Sequence, residues 1–172
     1  DSAAAGKMTP LYFCLKSGYH GTNTDSKCTG EFADANLSDS CRRRAAKEEM
    51  MKVIATEHAP AAIGPYSQGY ITGNLVFTSG QIPIDPATGE IKSGIEEQAH
   101  QSCRNVLSIL KAAGTDASKV IKTVCYISDM DQFGTFNQVY EQYFTSKPAR
   151  SCVQVARLPK DVFCEVEAVA EL

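Results

Sequence analysis

No apolar run in this 172-residue chain approaches the roughly 18 residues that a membrane-crossing helix needs, which excludes a helical span. The pattern Cys-x-x-Cys is missing too, although seven cysteines are present, at 14, 28, 41, 103, 125, 152 and 164. His20, His58 and His100 stand at no ligand spacing from those cysteines or from one another, so no zinc site is expected. Charge of one sign is scarce. The net charge is −3, with 7 basic and 7 acidic groups in residues 1–50 and 10 and 13 in residues 51–172. A mildly acidic domain argues against a large nucleic-acid footprint and leaves room only for a local basic patch. An RNP1-type motif and a histidine pair suited to RNA cleavage are also lacking.

What is present is globular in composition. A hydrophobic fraction of 43% fits one ordinary domain, or a smaller one with an extension. Dispersed cysteines suit a reducing compartment, where the residue behaves as a small buried hydrophobe. The expected location is therefore cytoplasmic, or a mitochondrion or other organelle if residues 1–50 include a targeting segment. Those residues show no sustained period. Their one apolar run, Leu11-Tyr-Phe-Cys-Leu15, is too short and too late for a secretory signal. Arg42-Arg-Arg44 has the look of a basic arm or transit peptide, but Asp25, Glu31, Asp34, Asp39, Glu48 and Glu49 oppose the second reading. The expectation is a disordered extension; the alternative is a non-native leader, with the native start at Met50 or Met51.

From residue 51 the patterning sharpens. Residues 51–56 read as an edge strand. Residues 59–66 hold Pro60 and Pro65, which forbid regular pairing and make a fixed loop that delivers Tyr66. That tyrosine either packs with its hydroxyl on a carbonyl or faces a pocket. Residues 68–72 and 75–79 form a hairpin about Gly73-Asn74. It ends in Ser79-Gly80, where glycine permits close backbone approach to a ligand. Residues 95–113 are the clearest helix, with Ile95, Ala99, Cys103, Val106, Leu110 and Ala113 in one stripe. Ser93 with Glu96 reads as a capping box, and Gly114 as the stop. Residues 120–128 are a strand rich in β-branched residues. Residues 129–144 return to helical spacing, with Phe133, Phe136, Tyr140 and Tyr143 as a core stripe. Asn137 beside them is either exposed or reaches a pocket at a subunit seam.

The closing stretch runs strand, turn, strand. Over residues 162–170 Cys164, Val166, Ala168 and Ala170 share one face, and Phe163, Glu165, Glu167 and Val169 the other. Unpaired carboxylates are costly to bury, so the second face is either wet or covered by a cation. Arg150 is the candidate to share that site; the alternative for it is a structural ion pair with Glu165 or Glu167. The element order βββαβαββ predicts an α+β, two-layer domain with two helices on a mixed sheet.

Five strings then stand together: Ala59-Pro-Ala-Ala-Ile-Gly-Pro-Tyr-Ser-Gln68, Phe77-Thr-Ser-Gly-Gln-Ile-Pro83, Pro148-Ala-Arg-Ser-Cys-Val153, Val155-Ala-Arg-Leu-Pro-Lys160 and Glu165-Val-Glu-Ala-Val-Ala170. In this order, over residues 51–172, they resemble the RidA/YjgF family of imine deaminases. The resemblance implies the chorismate mutase-like RidA fold in a homotrimer, with sheets inward as a barrel, helices outside and active sites at the subunit clefts. It implies hydrolysis of 2-aminoacrylate, 2-iminopropanoate or 2-iminobutanoate to 2-keto acids and ammonia, which limits damage to pyridoxal-phosphate enzymes. It implies no metal and no organic cofactor. Arg150 would bind the substrate carboxylate, which a planar guanidinium does bidentately. Glu165 would move protons, with Glu167 structural. Tyr66, Ser79, Gly80, Asn137 and Cys152 would line the pocket. No histidine neighbours Cys152 in sequence, so it reads as wall and not as nucleophile.

One departure from the family pattern stands out. Only Thr145-Ser-Lys147 separate Phe144 from Pro148, where many relatives have a longer loop, often with an aromatic residue, and this bears on substrate preference. Relatives have also been described as translation inhibitors or single-stranded-RNA endoribonucleases, for which Lys122, Lys147, Arg157 and Lys160 would supply a local patch. A third class is a non-catalytic ligand-binding or chaperone-like trimer. Retention of both Arg150 and Glu165 favours catalysis, since holding a carboxylate needs only the arginine.

Overall fold

The computed structural model describes residues 51–172; the reading of residues 1–50 as extension or leader lies outside them. Strands β1 (Met51–Ile54), β2 (Gly69–Thr72) and β3 (Leu75–Thr78) precede helix α1 (Ile95–Ala113). Strand β4 (Val120–Ile127), helix α2 (Phe133–Tyr143), β5 (Ala149–Gln154) and β6 (Cys164–Glu171) follow. This is the βββαβαββ order the patterning predicts. The sheet runs β1-β2-β3-β6-β4-β5. Only β4 and β5 are parallel, as a strand–helix–strand crossover requires.

The alternation of β6 decides the layering. Cys164, Val166, Ala168 and Ala170 are buried with the α1 stripe of Ala99, Cys103, Val106, Ile109 and Leu110. Gly73 begins the two-residue hairpin turn at φ 58°, a conformation open to glycine at no steric cost. Gly114 ends α1 at φ 90°, with its N–H donated to the carbonyls of Leu110 and Lys111, a glycine C-cap as predicted. The other end of α1 differs. Gly94, at φ 87°, is the N-cap, and no side chain caps the helix. The Ser93–Glu96 box does not form because the helix begins one residue later, where the backbone takes a positive φ that serine rarely adopts. Glu96 and Glu97 still place negative charge in the first turn, where the helix dipole favours it.

Three buried amides tie the loops to the sheet. Gln68 accepts from Thr56 N–H at 2.7 Å and donates to the carbonyls of Ala59 and Pro60, which fixes the proline-rich segment. Asn105 donates to the carbonyls of Ile82 and Ile84. Gln98 accepts from Phe163 N–H at 2.7 Å. Beyond β3, Gln81 and Val166 exchange backbone hydrogen bonds of 2.8 and 3.2 Å. That exchange carries Gly80 alongside β6.

The face of the sheet away from the helices has no covering layer among the described residues. Val53, Tyr70, Phe77 and Val169 are successive cross-strand partners on it. Val53 is 58% exposed, Tyr70 39%, Phe77 41%, and Val153 on β5 43%. An apolar row this wet is unusual for a sheet that stays single.

Candidate active site

Strand register sorts the candidate residues into two groups. Thr123 pairs with Arg150 and Cys125 with Cys152 across β4 and β5. Thr123 also pairs with Ala168, and Cys125 with Val166, across β4 and β6. Paired residues share a face, so Arg150 and Cys152 lie on the helix-covered side. Tyr126 pairs with Glu165, and Val124 with Glu167, which puts both carboxylates on the open side. The expectation that Arg150 covers these carboxylates does not hold within one chain, because parity sends them to opposite faces of one sheet.

On the helix side, Arg150 is held by rings. Its guanidinium carbon lies 4.6 Å from the centroid of Tyr140 and 5.6 Å from that of Phe133. Such stacking holds a cation in place without neutralising it. Tyr140 is itself braced by a 2.7 Å hydrogen bond between its hydroxyl and the buried Thr123 hydroxyl, and it stacks on Phe144 at 4.6 Å. Burial is the main reason its phenol is pushed up to about 12. Among the described residues the ion pairs are Lys92–Glu97 and Arg157–Asp161; Arg150 has none. The structural-pair alternative for Arg150 is therefore not what this chain adopts. Asn137, four residues after Phe133 and three before Tyr140, is on the same face of α2. Its Oδ1 is buried with no hydrogen-bond partner among the described residues. A buried amide oxygen without a donor is rare and calls for a missing partner.

On the open side, the Glu165 carboxyl lies against Gly80. A Cβ built on Gly80 would overlap Glu165 Oε1, so glycine here makes room for the carboxyl group. Burial, and then the neighbouring Glu167, hold the Glu165 pKa above the usual carboxylate range. Ser79 donates from Oγ to the Ser67 carbonyl at 2.6 Å, so its hydroxyl proton is committed to the backbone. Tyr66 is exposed and shares a small cleft with Pro60, Ile63, Gly80, Gln81 and Ile84. Its hydroxyl accepts from Ile63 N–H at 3.4 Å. Two larger hollows, about 690 and 600 Å³, flank the proline-rich segment. Tyr66 borders the first, and neither touches Arg150 or Glu165. Among the described residues, no group of three or more His, Cys, Asp or Glu could hold a metal ion.

Sequence reasoning missed three things: the parity that separates Arg150 from Glu165, the second role of the aromatic stripe, and Cys125. The first was available from the strand pairing alone had the parallel β4–β5 register been assigned. Of the four cations considered for an RNA patch, Arg157 is engaged by Asp161, Nε to Oδ1 at 2.6 Å and Nη2 to Oδ2 at 2.9 Å.

Comparison with known proteins agrees on the fold and the lineage. Residues 56–172 match the family described as Endoribonuclease L-PSP. The 2-iminobutanoate/2-iminopropanoate deaminase of Escherichia coli K12 is 53% identical over 125 residues, which cover 70% of this chain and 98% of that protein. Among solved structures, E. coli TdcF with bound serine has a TM-score of 0.69 at 51% identity, covering 70% of this chain and 98% of that one. Yeast Mmf1 has a TM-score of 0.68 at 38% identity, covering 70% and 98%. The uninterrupted motif order, the two helices on a mixed sheet and these likenesses together place the chain in the endoribonuclease L-PSP family, the RidA/YjgF family of its sequence motifs.

Proposed function

We propose that the protein hydrolyses small 2-imino acids and their enamine tautomers to 2-keto acids and ammonia, at sites that each join two subunits of a homotrimer. The observation that carries the reaction is Arg150, half-buried and braced by two rings, with no carboxylate among the described residues paired to it. A guanidinium so held is preorganised for a substrate carboxylate, which fixes the adjacent C=N carbon. The deaminase name of a relative 53% identical, and serine bound to a relative 51% identical, point to the same ligand class.

Water adds to the imine carbon while a proton reaches the nitrogen. The C–N bond of the resulting carbinolamine then breaks, ammonia leaves and the hydroxyl proton is lost, so imine and water become keto acid and ammonia. A carboxyl with a raised pKa can both take a proton from water and return it to nitrogen. Glu165 is that group. Gly80 leaves space for it, Tyr66 closes the cleft on the same side, and Ser79 anchors the turn that carries Gly80. Cys152 and the unpartnered Asn137 oxygen flank Arg150.

Parity supports the assembly. One chain presents Arg150, Cys152 and Asn137 on one side of its sheet and Glu165, Gly80 and Tyr66 on the other, so a partner must complete each set. The wet apolar row of Val53, Tyr70 and Phe77 is the surface such a partner would cover, which suits a barrel of inward-facing sheets. Decay of 2-aminoacrylate, generated in situ by a dehydratase, tests the reaction. The protein accelerates the decay and Arg150→Ala abolishes the acceleration. No acceleration by the wild-type trimer contradicts the proposal.

A further inference from the structure

The chain holds a pair of thiols that the reaction does not use. Cys125 and Cys152 are register partners on the parallel strands β4 and β5, and both side chains face the helices. Neighbouring strands lie about 4.8 Å apart, inside the Cα separation of roughly 4.4–6.8 Å that a disulfide spans. Cys125 is buried and Cys152 is partly exposed. β5 is the sheet's edge strand, bonded on one side only and able to adjust its position. We propose that Cys125 and Cys152 are a redox-active dithiol that a peroxide converts to a reversible disulfide across the β4–β5 ladder, altering the wall of the site beside Arg150.

The chemistry divides between the two sulfurs. The adjacent Cys125 thiol, aided by the Arg150 charge and opposed by burial, holds Cys152 below the ordinary thiol range. The Cys152 thiol, together with burial, pushes Cys125 up, so it keeps its proton. Thiolate is the nucleophile toward peroxide. Cys152 sulfur attacks one peroxide oxygen, the O–O bond breaks, and the sulfenic acid forms while the other oxygen leaves as hydroxide and becomes water. Cys125 sulfur then attacks the Cys152 sulfur, hydroxide departs with the Cys125 proton as water, and the S–S bond closes. Two thiols and one peroxide give one disulfide and two waters. Cys103 and Cys164 do not compete: burial pushes both up, Cys164 to about 12. Cys152 lies two residues from Arg150 on the same strand face, so drawing its sulfur toward β4 and removing its proton changes the surface that meets substrate.

The effect on turnover rests on the proposed reaction; the cross-link does not. Trypsin separates the two cysteines, Cys125 into residues 123–150 and Cys152 into residues 151–157. Full-length protein is treated with graded hydrogen peroxide, alkylated and mapped without reductant. The expected product is those two peptides joined with the loss of two hydrogens, at monomer mass on a non-reducing gel and reversed by dithiothreitol. Imine hydrolysis falls several-fold with cross-linking and recovers on reduction. In Cys125→Val the cross-link is absent and dimedone traps a Cys152 sulfenic acid that does not accumulate in wild type. Equal sulfenic acid in both proteins, or unmodified thiols at both positions while other residues oxidise, overturns the dithiol. A reversible cross-link without change in turnover overturns its effect on the site.

Discussion

Gly80 and Glu165 show how one missing side chain fixes chemistry. The carboxyl occupies the space a Cβ would take, and carboxyl groups swing more cheaply than backbone. Gly80→Ala therefore folds with its melting temperature little changed but displaces Glu165. Its kcat falls on the order of 100-fold, the scale of an ångström's misplacement; near-wild-type turnover would show that Glu165 does not need this seat. Glu165 also carries a stability cost. Its pKa is raised by burial and by Glu167, so stability is fullest below the unfolded-state value and is lost as pH rises through the folded one. Glu165→Gln should be inactive yet melt higher than wild type near neutral pH, with the gap closing under acid. Melting curves between about pH 4 and 7 check this, and a gap independent of pH would contradict it. On the helix side, Tyr140→Leu removes the nearer ring beneath Arg150. The expected result is a raised KM with a smaller change in kcat, since the guanidinium is retained but no longer held.

At the scale of elements, the short link between α2 and β5 closes by bending the chain sharply. Lys147 takes φ 53° and donates its N–H to the Phe144 carbonyl at 3.1 Å. Left-handed backbone costs a non-glycine residue roughly 1–2 kcal/mol, and glycine's extra unfolded-chain freedom offsets about 0.5–1. Lys147→Gly should therefore raise stability by roughly 0.5 kcal/mol, read from the urea midpoint; a clear loss would show that the lysine side chain matters. In the sequence this link stands out as only Thr145-Ser-Lys147 between Phe144 and Pro148, but its strain does not, because backbone dihedrals leave little trace in lysine. The elements themselves were legible. Alternation in residues 162–170 and the Ile95–Ala113 stripe follow from burial on one face, and burial is what periodicity records. The Ser93–Glu96 box misled because a motif names a bond that Gly94 prevents. Arg150 and Glu165 were legible as residues, not as neighbours. Their faces depend on pairing between strands far apart in sequence, and no local pattern encodes that.

At the scale of the whole molecule, one sheet carries Arg150 on one face and Glu165 on the other, with an exposed apolar row on the Glu165 face. Burying such a row against further copies of itself is the expected outcome for a homo-oligomer. In the closed trimer proposed above, each cleft would join the Arg150 side of one subunit to the Glu165 side of the next. The direct measurement is subunit complementation. Arg150→Ala and Glu165→Gln proteins, each inactive alone, are mixed in equal amounts, dissociated, reassembled and assayed for imine decay. With shared sites, random mixing leaves about one site in four with both native residues, and about a quarter of wild-type activity returns. Mixed trimers that assemble and remain inactive would show that Arg150 and Glu165 act from the same chain, and would contradict the account.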